Sequence, residues 1–161
     1  MYKIPAKTLF FGKNLIYVPE CHSTNDLAWE LVKTAKAGEG TIVITSNQTA
    51  GRGQRGNAWE ATAGLNLTFS IVFKPTFLAP HQQFALNMFS SLAVAQALAE
   101  ANVPGLRVKW PNDVMSGARK MVGILVENTV QANRINHTVA GIGINVNQQA
   151  FDVPNATSIN W

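Results

Sequence analysis

A single cysteine, Cys21, stands among 161 residues, so no disulfide can form within the chain and a reducing, cytoplasmic compartment is expected. Charge is sparse too. Asp, Glu, Lys and Arg make up 14% of the sequence against 47% hydrophobic residues, a balance that excludes a disordered chain. No apolar run approaches membrane-spanning length, so no membrane partner is expected. The start, Met1 to Phe11, holds two lysines and the short run Leu9-Phe10-Phe11 without the apolar core of a secretory leader. Repeats and low-complexity segments are missing. The net charge of +4 and pI near 9.5 would suit a nucleic acid. Yet the basic residues are scattered, apart from Arg52/Arg55 and the stretch Arg107, Lys109, Arg119 and Lys120. Clusters that small fit a compact anion better than a duplex, which needs a continuous basic stripe, and no nucleic-acid partner is expected.

What remains is a chain of single-domain size with material for a real core. Leu15 to Val18 reads as a short strand. Ser23-Thr24-Asn25-Asp26 supplies helix-start chemistry, with Leu27, Ala28, Leu31 and Val32 at helical spacing and Gly38 as the stop. Thr41 to Thr45 is β-branched and strand-like, and Leu65 to Phe73 forms a second strand ending before Pro75. His81 to Ala101 predicts a long helix with Phe84, Met88, Leu92, Ala95 and Leu98 on its buried face. Leu106 to Trp110 is a strand broken by Pro111. Met121 to Val130 and Ile135 to Val146 are strands joined by a polar turn around Asn133, and Asn147 to Trp161 has no element of its own. Two helices among hairpin-connected strands give an α+β fold with a mixed, largely antiparallel sheet.

The segment Gly51-Arg52-Gly53-Gln54-Arg55-Gly56-Asn57-Ala58-Trp59 is the densest chemical signal. Its glycines permit close backbone approach, its arginines offer planar forks for carboxylate or phosphate oxygens, and its indole offers a flat face to a ring. Together they describe a mobile loop closing over a nucleotide-like anion. It follows a strand but opens no helix, so the dinucleotide-binding reading fails, and no Gly-Lys-Ser/Thr follows to make a P-loop.

Three other places carry weaker signals. Asn112 and Asp113, after Pro111, offer oxygens to a hard cation directly or through water, although Pro-Asn-Asp also makes an ordinary turn. Lys120 enters an apolar run in which Gly123 leaves room for a ligand or backbone, although a solvated lysine at a strand end after the Ser116-Gly117 turn is the commoner situation. Gly141 and Gly143 weaken a strand that ends at Asn145, which argues for close approach by a ligand or by a packed neighbour.

Taken in order, these blocks resemble the biotin protein ligases. The match rests on Ser23-Thr24-Asn25, Gln48-Thr49-Ala50-Gly51-Arg52-Gly53-Gln54-Arg55-Gly56 with Trp59, and Arg107-Val108-Lys109-Trp110-Pro111-Asn112-Asp113. It continues through Arg119-Lys120 with Gly123-Ile124-Leu125-Val126-Glu127, and Gly141-Ile142-Gly143-Ile144-Asn145, spanning nearly the whole chain. The resemblance implies a catalytic core related to class II aminoacyl-tRNA synthetases. It also implies a two-step reaction: biotin and ATP give biotinyl-5′-AMP, and a lysine of a biotin carboxyl carrier domain then takes the biotin. Residues 1–161 are expected to form that one catalytic domain.

By matching position, the resemblance implies that Ser23, Thr24, Asn25, Gln48, Gly51, Arg52, Gly53, Gln54, Lys120 and Gly123 hold biotin. Arg52, Arg55, Trp59, Lys109, Asn112, Lys120 and Asn145 would hold ATP and the adenylate, with Asp113 at a Mg²⁺ ion. Lys120 and Arg52 would be the catalytic cations. Gln54 departs from the arginine of many relatives, so either Arg55 or Lys120 compensates for the missing cation or the adenylate is retained less tightly. The family's usual small C-terminal β-domain is also missing from the sequence, so a truncated chain is expected, and no N-terminal helix-turn-helix supports a repressor role. The resemblance leaves homodimerisation open. Two rivals stand beside this reading: a lipoate or octanoyl ligase or transferase of the same superfamily, and a non-catalytic biotin- or nucleotide-binding module.

Overall fold

The computed structural model describes residues 8–160. Expectations for the first seven residues and for Trp161 lie outside the described residues.

Seven strands form one sheet in the order β1-β2-β3-β7-β6-β5-β4. They are β1 (Leu15–Cys21), β2 (Ile42–Gln48), β3 (Asn66–Phe73), β4 (Leu106–Lys109), β5 (Asp113–Ser116), β6 (Arg119–Gln131) and β7 (Arg134–Asn145). Only β1 and β2 run parallel, joined through helix α1 (Thr24–Lys33); every other pair is antiparallel. The mixed, largely antiparallel sheet is as expected. No helix among the described residues is long and apolar enough to cross a membrane.

Alternation along the central strands sorts side chains onto two faces. Register puts Val43 beside Ser70 and Thr45 beside Thr68, then Ser70 beside Gly141 and Thr68 beside Gly143, with Gly143 beside Gly123. That face carries α1, which packs Ala28 against Val43, Val72 and Val139. The opposite face carries Val122, Ile124, Ile142 and Ile144, covered by Val94 and Leu98 of helix α2 (Phe84–Glu100). The site grows on the first face, where α1 stops short and leaves small and polar residues uncovered.

Several boundaries differ from expectation for physical reasons. β1 runs through Pro19 to Cys21, because an edge strand needs no inward N–H from proline. Helix α1 stops at Lys33, before Gly38: Ala35 takes a left-handed φ of 56°, and Lys36 N–H donates to Leu31 O at 2.8 Å in a closing Schellman turn. Ser23 is the N-cap residue, but its side chain makes no capping bond; Gln48 of β2 caps from outside, its Oε1 accepting from Thr24 N–H at 2.7 Å. Four-residue β5 was not expected, the Pro-Asn-Asp turn being followed by a strand too short to show a pattern.

The buried face of α2 is also a correction. The helix buries Leu86, Ser90, Ser91, Val94 and Leu98, and leaves Met88, Phe89 and Leu92 at least half exposed. Apolar residues occupy every side of it, so spacing alone does not single out the inward one. The β6–β7 hairpin is as expected, with Ala132 and Asn133 both at positive φ in a two-residue turn.

Candidate active site

The first face holds a cleft of about 230 Å³. Of the expected residues it brings together Ser23, Thr24, Asn25, Gln48, Arg52, Gly53, Gln54, Arg55, Trp59, Asn112, Asp113, Lys120 and Gly123. Its wall also includes Gly143, where close approach was expected, and Asn57, Thr68 and Trp110, for which sequence gave no role. The volume is below the roughly 300–1,000 Å³ of common ligand sites. The reason is visible: the indole of Trp59 lies within it.

That indole explains the strand glycines. A Cβ on Gly143 would stand 2.3 Å from Trp59 Cε2, and one on Gly123 2.7 Å from Cζ3. Two neighbouring glycines, paired across β6 and β7, therefore make a flat bed for one ring. Nε1–H of Trp59 is buried without a partner. Gly141 answers a different neighbour, since a Cβ there would meet Asn25 Oδ1 at 2.3 Å. The close approaches inferred from these glycines are made by side chains of the protein itself.

At one end of the cleft the polar residues form a chain of bonds. Gln48 Oε1 accepts from both Thr24 N–H and Thr24 Oγ1, and Ser70 Oγ bonds Thr24 Oγ1 at 2.7 Å and Asn25 Oδ1 at 2.6 Å. Asn25 Nδ2 donates onward to Glu127 Oε2 at 2.8 Å. Thr24, Asn25 and Ser70 are buried, so these bonds fix their rotamers in a poorly solvated place. Ser70 was missed because it sits in an alternating strand like any outward polar residue; only the register with Gly141 turns it inward.

At the other end, Lys120 Nζ meets Asp113 Oδ1 at 2.7 Å and stands 5.8 Å from the Trp59 ring centroid. The lysine's backbone is held by segment 155–157: its N–H donates to Asn155 O at 2.7 Å and its C=O accepts from Thr157 N–H at 2.9 Å. The polar tail thus has no element of its own, as expected, but is bound to the site strand. Asn112 is bracketed as firmly, with Nδ2 donating to Ile124 O at 2.7 Å and its O accepting from Ile124 N–H at 3.0 Å.

Arg52 is placed differently from the expectation that it faces a substrate anion. Its Nη2 donates to Asp26 Oδ1 at 2.7 Å and Glu127 Oε2 at 2.9 Å, and its Nη1 donates to Glu127 Oε1 at 3.0 Å. The bond to Glu127 does most to raise its pKa above the ordinary arginine value, against partial burial. Arg55 remains at the cleft, its backbone left-handed at φ 56° within a single 3-10 turn, Gln54–Gly56.

Three expected residues are not brought to the cleft. Gly51 lies behind it, where a Cβ would sit 2.3 Å from Trp59 O. Lys109 ends the exposed strand β4. Asn145 is buried beneath the tail, its Nδ2 donating to Thr157 O at 3.1 Å. Cys21 also stays outside the cleft, and burial raises its thiol pKa. No group of three His, Cys, Asp or Glu side chains able to hold a metal ion occurs among the described residues.

Known proteins resemble this chain in sequence and in fold. The profile of the Biotin/lipoate A/B protein ligase family matches residues 17–145. The bifunctional ligase/repressor BirA of Bacillus subtilis is 38% identical over 149 residues, covering 92% of this chain and 45% of its own. The biotin–[acetyl-CoA-carboxylase] ligase of Mycobacterium tuberculosis is 33% identical over 91% of this chain and 55% of its own. Among solved structures, biotin protein ligase from Aquifex aeolicus in complex with biotin and ATP superposes with a TM-score of 0.72 at 33% identity, over 91% of this chain and 60% of that one. The biotin protein ligase of Leishmania major in complex with biotinyl-5-AMP gives a TM-score of 0.74 at 26% identity, over 92% and 64%. The chain spans about half the length of the curated relatives it matches. The family profile covers well over half of these residues, and the chain belongs to the biotin/lipoate A/B protein ligase family.

Proposed function

We propose that this chain is the catalytic core of a ligase that activates biotin with ATP and transfers it to a lysine of a biotin carboxyl carrier domain. One juxtaposition carries the reading. A convergent set of buried hydrogen-bonding groups (Thr24, Asn25 and Ser23) opens on the same narrow cleft as a lysine positioned by a carboxylate. The first end suits a compact polar head such as biotin's ureido ring, and the second suits a carboxylate approaching a phosphate.

In the first step a biotin carboxylate oxygen attacks the α-phosphorus of ATP, the bond to pyrophosphate breaks, and biotinyl-5′-AMP forms. In the second, the carrier amine attacks the acyl carbon, AMP leaves, and the amine loses a proton. Lys120 offers a fixed cation where two anions meet, which is the electrostatic problem of the first step. Arg55 brings a second cation on the loop, and Gln48 holds Thr24 in place at the ureido end. Trp59 supplies a planar wall, and loop closure over it keeps water from the anhydride.

Asp113 and Asn112 at the cleft would be the residues to meet a Mg²⁺ ion arriving on nucleotide phosphates, since Mg²⁺ commonly takes one or two protein carboxylates and completes its shell with phosphate and water; the Asp113 carboxylate would then be shared with Lys120. Such an ion would neutralise phosphate charge when bound.

Incubation with labelled biotin, ATP and a carrier domain tests the reading, with labelled carrier as the expected product. Biotin binding without adenylate or labelled carrier would mean a binding module instead. Calorimetry is expected to detect biotin and no lipoate, and the reverse order would move the chain to the lipoate branch. Gln54 at the cleft adds a prediction: Gln54→Arg is expected to slow release of biotinyl-AMP about tenfold, the worth of one charge-assisted bond. Equal release rates from both proteins would remove Gln54 from any part in retention.

A further inference from the structure

The arginine of the glycine loop is already satisfied by the protein. Arg52 gives three hydrogen bonds to two carboxylates, one on α1 and one on β6, and Glu127 receives it in bidentate fashion. The same Glu127 Oε2 also accepts from Asn25 Nδ2, and Asn25 sits in the gap that Gly141 leaves open. One carboxylate therefore ties the loop to the buried polar end of the cleft.

We infer that Glu127, assisted by Asp26, is a positioning residue that seats the glycine-arginine loop through Arg52 and sets the rotamer of Asn25. This deepens the reading of the cleft as a biotin-activating site and rests on it for its catalytic consequence. Arg52 then acts as an anchor, and the cations left to face substrate anions are Lys120 and Arg55. The charges around the clamp support this. Asp26 and Glu127 carry two negative charges against one guanidinium, so a substrate anion would have to approach Arg52 past both. A bidentate fork is also directional, so it fixes loop orientation as well as distance.

The clamp is half open to water, with Arg52, Asp26 and Glu127 side chains 41%, 53% and 27% exposed, so it should be modest in strength and sensitive to salt. Hydrogen exchange on the protein alone tests it without any substrate. The amides to follow are Gly53, bonded to Asn57 O at 2.7 Å, and Trp59, bonded to Gly51 O at 2.9 Å. Glu127→Gln is expected to speed their exchange about fivefold, and Asp26→Asn less. In the unaltered protein 0.5 M salt should do the same, adding little in Glu127→Gln. Unchanged exchange in both variants at an unchanged thermal midpoint would overturn the clamp.

Kinetics supply the second arm. Glu127→Gln should raise KM for biotin about fivefold with kcat altered less than about twofold, because the one remaining oxygen can no longer serve Arg52 in bidentate fashion and Asn25 as well, and no reacting group is removed. A collapse of kcat with KM intact would overturn the positioning role. Faster exchange in a protein that forms no adenylate at all would keep the clamp and discard the biotin reading, so the two failures are told apart.

Discussion

Replacing Lys120 with alanine is expected to lower the rate of adenylate formation about 10²–10³-fold, the usual loss when one preorganised charge stabiliser is removed. The expectation rests on the mounting of the residue as much as on its charge. Backbone bonds to Asn155 and Thr157 hold position 120 on both sides, and neither depends on the side chain. The truncated variant should therefore keep its strand and lose only the ammonium. Asp113 would lose its partner at 2.7 Å, but the lysine side chain is 38% exposed, so the stability cost should be only about 1 kcal/mol. Rapid-quench measurement of pyrophosphate release, beside a thermal melt, checks both parts. Near-normal release from Lys120→Ala would place the key cation elsewhere, with Arg55 next to be tested. Lys120→Arg should recover little, because a planar fork cannot copy a compact point charge beside Asp113.

Gly143→Ala is the second large effect. Its Cβ would fall within 2.5 Å of three indole atoms of Trp59, distances that real contacts do not tolerate. Gly143 itself is in an ordinary strand, so the new methyl causes no backbone strain; the ring must yield. Lifting a ring out of the cleft moves the wall against which a substrate packs. Displacements of that size in a positioned site cost on the order of 10²-fold in kcat/KM. Global stability should fall by only about 1–2 kcal/mol, since the displaced group sits on a loop rather than in the core. The indole N–H resonance of Trp59 is the direct report, and should shift with the loss of activity. Introducing Trp59→Ala into the same protein should relieve the overpacking and raise the melting temperature above that of Gly143→Ala. An unmoved resonance with normal kinetics would show that the ring bed has no such part.

These two residues mark what the sequence made legible and what it did not. Lys120, Gly123, Gly143 and the glycine-arginine loop stood out because each is an awkward choice for its place: a lysine entering a buried strand, glycines weakening two others. Their convergence on one cleft followed the family resemblance. What touches the glycines was not legible, because only strand register brings Trp59 to Gly123 and Gly143, and Asn25 to Gly141. The partners of Arg52 were hidden for the same reason, since Asp26 and Glu127 look like solvated charges at their own positions. Among the elements, sparsely patterned α2 misled where α1 did not. Its alanines, leucines and phenylalanines leave no polar side to point outward, so its inward face was set by β4, β5 and β6.

The polar network of the cleft also has a history in time. Asn25 and Glu127 are 102 positions apart, Arg52 and Glu127 75, and Thr24 and Ser70 46. Almost nothing in this site can be rehearsed by a short peptide. As the chain is synthesised, the loop arginine emerges long before the carboxylate that will hold it, and the glycine bed is complete only once β7 has been made. Closing such long intervals costs entropy before any bond repays it, which places this domain among the slower folders, on a scale of about milliseconds to seconds. Until then Arg52 has only Asp26 to pair with and lacks the bidentate carboxylate of Glu127.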